Sequence, residues 1–191
     1  MGHLHILFNF LKVIGQHFEC SGLEDVWVES ELFGQGTTET VMSGKAYYRA
    51  VRGHTLTYEA LCRIRWELFV EWLTQCKDEE TIDVKDQIEK VATLFKRDEK
   101  ASRNDVKDAV GDLVDALSEQ HVRDKLAKFE DHFSTQPNFA FWSTYIHMVE
   151  VLLDFIRANR DGHWNLHLSS FAAMLPWMTI TPTTPDGVLY T

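Results

Sequence analysis

FWSTYIHMVEVLLDFIRANRDGHWNLHLSSFAAMLPWM, residues 141–178, decides how the chain is read. Phe139, Phe141, Trp142, Tyr145, Ile146, Met148, Val149, Leu152, Leu153, Phe155 and Ile156 recur at three-and-four spacing, the period of a helix that buries one side. Asn138, after Pro137, is placed to cap that helix, and Arg160, Asp161 and Gly162 end it. A second helix follows from Trp164 to about Met178, with Pro176 near its end. Glu150 sits among these apolar positions. A carboxylate embedded in apolar surface is costly unless paired or hydrogen-bonded, so it calls for a partner. The structural reading supplies Arg49, Arg52, Arg63, Arg65 or a tyrosine hydroxyl; the chemical reading makes Glu150 a catalytic acid or metal ligand.

The same period recurs toward the N-terminus. Leu4, Leu7, Phe8, Leu11, Ile14 and Phe18 predict a helix that Ser21 and Gly22 break. Leu23, Val26, Trp27 and Leu32 predict another over 23–33, stopped by Gly34, Gln35 and Gly36, with Thr37 or Thr38 capping a short turn. Residues 45–76 run without proline and carry Tyr47, Tyr48, Val51, Leu56, Tyr58, Leu61, Ile64, Trp66, Leu68, Phe69, Trp72 and Leu73. This is the expected central helix, with Gly53 as its one expected kink.

Residues 81–135 differ in character. They are dense in charge, with narrow apolar stripes: Ile82, Val84, Ile88, Val91, Leu94 and Phe95, then Val106, Val110, Leu113, Val114 and Leu117, then Val122, Leu126, Phe129 and Phe133. Ser102 and Asn104 mark a helix start, and Gln120 and His121 a bend. The expectation is an all-α protein: a single helical domain over 1–191, built as a multi-helix bundle around a long central helix, with a charged helical lobe at 81–135. Residues 179–191, rich in Thr and Pro, are expected to be an irregular tail or an added strand.

With 191 residues, the chain is long enough for a sizeable core. Its formal net charge of -10 makes nucleic acid an unfavourable bulk electrostatic partner, because a phosphate backbone rewards Lys and Arg. Cys20, Cys62 and Cys76 have neither CxxC nor zinc-finger spacing and read as free thiols in a reducing compartment. The opening MGHLHILFNFLKVIG has no basic n-region and falls short of the roughly 20 apolar residues of a membrane span. An intracellular protein, cytoplasmic or nuclear and without a membrane span, is expected.

Chemical signals are sparse. His163 and His167 are four apart and share a helix face, the spacing of two metal ligands, but the Glu of HExxH and a third ligand are missing. His3 and His5 are likewise too few. No GxSxG or Gly-rich phosphate loop is present. Six Trp and twelve Phe are core material first, although Trp66, Trp72, Trp142 and Trp164 could line a cavity for a small apolar ligand or pigment.

HILFNFLKVIGQHFECSGLEDVWVESELFGQGTTETVMSGKAYYRAVRGHTLTYEAL and the 141–178 stretch together resemble a family of transposon-derived, transposase-like proteins of animal genomes. The FLKVIG helix, the SGLEDVWVES segment, GKAYYRAVR and FWSTYIHMVEVLL carry the resemblance, which spans 4–178 apart from most of the middle. It implies a relation to RNase H-like cores, in which two strand aspartates and a helical acid hold two metal ions. Glu150 matches the helical acid, whereas the strand aspartates have no counterpart. One carboxylate does not fix two divalent ions. The reading that follows is a noncatalytic helical protein acting through a protein partner, with no cofactor. The enzyme alternative is a metal-dependent phosphodiesterase using Glu150 with Asp154, Asp25 or Glu29, and only it requires a divalent metal.

Overall fold

The computed structural model describes residues 2–76, 86, 88–90, 93 and 103–179. Among them the fold is all-α, with no strand. The helices are α1 (His3–His17), α2 (Leu23–Glu29), α3 (Gln35–Met42), α4 (Tyr47–Gln75), α5 (Arg103–Ser118), α6 (Gln120–Ser134), α7 (Pro137–Asp161) and α8 (Trp164–Thr179). Two compact units divide the chain: Met1–Cys62 with Phe141–Thr191, and Arg63–Ala140. The divisions fall inside α4 and α7, so the second unit is wider than the lobe expected at 81–135.

In the first unit, α1 buries Leu7, Phe10, Leu11 and Ile14, and α7 buries Tyr145, Met148, Val149, Leu152 and Phe155. Phe18, Leu23, Trp27, Val41, Ala50 and Met174 complete this core. Close helix packing depends on Gly15, where a Cβ would lie 1.8 Å from the Met42 carbonyl oxygen. Gly44 ends α3 with φ +73°, a left-handed conformation that glycine adopts without strain, and its N–H donates to Val41 O at 3.0 Å.

Local chemistry sets several boundaries apart from the periodicity. The pattern predicts a helix over 23–33, but α2 stops at Glu29. The Leu32 and Phe33 N–H groups both donate back to Trp27 O, at 3.0 and 3.1 Å, folding the chain over the helix end. α3 starts at Gln35, earlier than the expected cap at Thr37 or Thr38, and the Thr38 hydroxyl donates to Gln35 O at 2.8 Å. Pro137 is the first residue of α7, where its missing N–H costs nothing, so Asn138 lies inside the helix. Gly53 lies within an unbroken α4, where its bare Cα admits Phe33: an added Cβ would lie 2.7 Å from Phe33 Cε2. Pro176 is carried within α8.

The second unit is built on aromatic packing. Phe129 of α6 is fully buried and meets Phe69 at 5.3 Å, Trp72 at 5.8 Å, Phe133 at 5.0 Å and Phe139 at 5.7 Å between ring centroids. Leu73 and Val122 close this core, and Trp66, Ile88 and Leu117 pack against it. Arg65 pairs with Glu130 at its edge. The α5–α6 break falls at Glu119, whose ψ of 142° is extended, beside the bend expected at Gln120 and His121. Of the first charged stripe, Ile82, Val84, Val91, Leu94 and Phe95 lie outside the described residues, as does the tail beyond Thr179.

Among the described residues only α7 has the length and apolarity of a membrane span, with 25 residues and a best-window mean hydropathy of 1.3. Its apolar side chains build the first unit's core, so no clear membrane span is present among the described residues.

Candidate functional site

Glu150 is exposed, which corrects the expectation of an acid embedded in apolar surface. Its neighbours Val149 and Val151 are buried, but its own side chain lies on the polar arc of α7. Across from it, α4 presents Tyr58 and Cys62. The Tyr58 hydroxyl is pushed up to about 12, first by burial, then by the Cys62 thiol to which it is hydrogen-bonded, then by the charges of Glu150 and Asp154. Tyr58 therefore lies close enough to feel the Glu150 charge, while Arg65 is engaged by Glu130 and Arg49 and Arg52 line a cleft of about 360 Å³ with Leu32, Phe33, Gly34 and Thr37. An exposed carboxylate carries no large desolvation cost. Glu150→Gln is expected to change unfolding stability by less than about 0.5 kcal/mol in urea titration.

The acids proposed to assist Glu150 separate into different places. Asp154 shares its neighbourhood at Tyr58. Asp25 and Glu29 instead line a cleft of about 430 Å³ with Glu24 and Glu39 between α2 and α3. Among the described residues no group of three His, Cys, Asp or Glu side chains is placed to hold a metal ion.

His163 and His167 do different jobs although they are one turn apart. His163 precedes α8 and its Nδ1 accepts from the Leu166 N–H at 3.2 Å, satisfying a first-turn donor. His167 stacks on Trp164 at 5.6 Å and packs on Phe155 at 4.7 Å, and its other ring neighbour is His3, 4.9 Å away. The tryptophans divide between the units. Trp66 and Trp72 pack against the Phe129 core; Trp142 stacks on Phe18 in the first unit, and Trp164 is 66% exposed there.

A polar group that the sequence reading did not single out lies at the centre of the first unit. His54 is fully buried, with Nδ1 2.8 Å from the Tyr145 hydroxyl and Nε2 without a hydrogen-bond partner. Trp27 stands edge-on to its ring at 5.3 Å and donates Nε1–H to Thr57 Oγ1 at 2.8 Å. Burial pushes the His54 imidazole down to about 4, so it is neutral at neutral pH. Burial pushes the Tyr145 hydroxyl up, partly offset by its bond to Thr57. The signal was present: Tyr47, Ala50, Val51, His54, Tyr58 and Leu61 follow three-and-four spacing, so a histidine occupies the inward stripe of α4.

The Arg63–Ala140 unit leaves apolar side chains uncovered. On α5, Val110 is 38% and Val114 54% exposed, one turn apart, and on α6 Leu126 is 42% exposed. Asp108, Asp112 and Asp115 are exposed on α5 as well.

These features define an all-helical protein with two separately packed cores and a polar centre in one of them. Residues 1–183 match the domain of unknown function DUF8702, and the chain belongs to that family. No curated protein and no solved structure matches the chain.

Proposed function

We propose that the chain is a noncatalytic helical protein, derived from a transposon gene, that works inside the cell through contact with another protein. The observation that carries the reading is the α5 face of the Arg63–Ala140 unit. Val110 and Val114 stand outward on a helix whose other apolar residues, Val106, Leu113 and Leu117, are at least half withdrawn from solvent. An apolar pair one turn apart with charged flanks is the surface an amphipathic helix recognises. By helical spacing the exposed charge beside the pair is Lys107, three residues before Val110, whereas Asp108, Asp112 and Asp115 lie round the helix from it, with Asp112 paired to Lys90 at 2.9 Å. The resemblance of residues 4–178, apart from most of the middle, to transposon-derived proteins supports the origin.

The double variant Val110→Asp/Val114→Asp tests this. Both positions are already wet, so the folded state is expected to lose no more than about 1 kcal/mol. A partner that docks here is lost, because two buried unpaired carboxylates oppose association. Retention of every partner captured by the parent chain, at undiminished yield, would falsify the assignment of this face.

A further inference from the structure

His3 opens α1 and His167 lies in the first two turns of α8, and the two helices pack together at these side chains. Their ring centroids are 4.9 Å apart, with the planes inclined by 46°. Two imidazoles on one tetrahedral ion, each with a metal–nitrogen bond of about 2.0–2.1 Å, put their ring centres about 5 Å apart. The observed pair has that spacing.

Two hydrogen-bonding facts point the same way. His3 Nδ1 is bonded to Asn159 Oδ1, and the Asn159 amide is oriented by its own Nδ2 donating to Phe155 O at 2.7 Å. A carbonyl oxygen only accepts, so His3 Nδ1 carries the hydrogen and Nε2 keeps the lone pair. Proteins fix the tautomer of ligating histidines through outer partners of this kind. His167 supplies the second nitrogen: its Nδ1 is buried and has no hydrogen-bond partner, a costly state that coordination relieves.

We propose that His3 and His167 bind a divalent transition-metal ion of the zinc class, with water or an incoming ligand completing its coordination. Neutral imidazoles suit zinc, copper and nickel rather than magnesium or calcium. The ion ties α1 to α8, the beginning of the first unit to its end. With two protein ligands it is weaker than a four-ligand structural centre and leaves positions open. His5 and His163 take no part: His163 Nδ1 is occupied as a helix cap, and His5, two residues on from His3, falls on a different side of α1.

Calorimetric titration of the full chain with Zn²⁺ at about pH 7.5 is expected to give one site, and the same ion raises the melting temperature. His3→Gln and His167→Gln each weaken the site at least about tenfold, whereas His5→Gln and His163→Gln hold it within about twofold. Because His167 packs on Phe155 and Trp164, its loss can disturb folding; His3 is exposed, so His3→Gln, checked by circular dichroism, carries the decision. With Co²⁺ in place of Zn²⁺, the visible bands of the parent protein vanish in His3→Gln. Binding that survives His3→Gln unchanged, binding lost equally in His5→Gln, or no Zn²⁺ binding at all overturns the site.

Discussion

Gly15→Ala unfolds at a lower temperature than the parent protein, by about 6–12 °C, corresponding to about 3 kcal/mol for a chain of this size. Helix propensity alone argues the other way, since alanine is favoured over glycine by about 1 kcal/mol in a helix interior. Space decides the sign. The new methyl carbon would stand 1.8 Å from Met42 O and 2.7 Å from Met42 C, and both are backbone atoms that cannot swing aside. α1 and α3 must separate, and Leu11, Ile14, Val41 and Met42 lose close contact. Thermal denaturation followed by circular dichroism measures it. A Gly15→Ala protein as stable as the parent, or more so, would mean that α1 and α3 do not approach as described.

The second large effect is acid destabilisation through His54. Its imidazole titrates near 4 in the folded protein against 6.5 when free, because burial disfavours the charged form. Between these values the unfolded chain binds the proton and the folded chain does not, so stability falls as pH falls. The contribution is fully present above about pH 6.5, declines through the window and is exhausted near pH 4, amounting to about 3 kcal/mol. Tyr145 contributes no change there, since burial holds its hydroxyl protonated. Urea midpoints measured across the window show this slope, and His54→Gln flattens it. A parent and a His54→Gln variant with the same pH slope would contradict the buried neutral imidazole.

Periodicity made the scaffold legible where one side of a helix is apolar and the other is not. Leu7, Leu11, Ile14 and Phe18 and the Val122–Phe129–Phe133 stripe are buried or half-buried as the spacing demands. It misread α7, where apolar residues crowd most of the circumference and hide which arc faces inward. Yet His147, Glu150, Asp154, Arg157 and Asp161 also follow three-and-four spacing, and that polar stripe marks the solvent side on which Glu150 lies. Boundaries set by single bonds, such as the double donation to Trp27 O, leave no periodic trace. Pairings across great sequence distance are equally silent: His54 with Tyr145 is 91 residues apart, and His3 with Asn159 is 156. The division inside α4 and α7 was hidden for another reason, because both helices run through it without a break in pattern.

Contact through the α5 face is the claim on which the functional reading stands, and site-specific photo-crosslinking in cells tests it. Val114 and Val26 are equally exposed, at 54% each, and belong to different units, so Val26 is a matched control. A crosslinker at Val114 is expected to give a discrete protein adduct that is absent at Val26 and disappears when Val110→Asp is added. Equal adducts at both positions, or none at Val114, would mean that the α5 face is not where a partner docks.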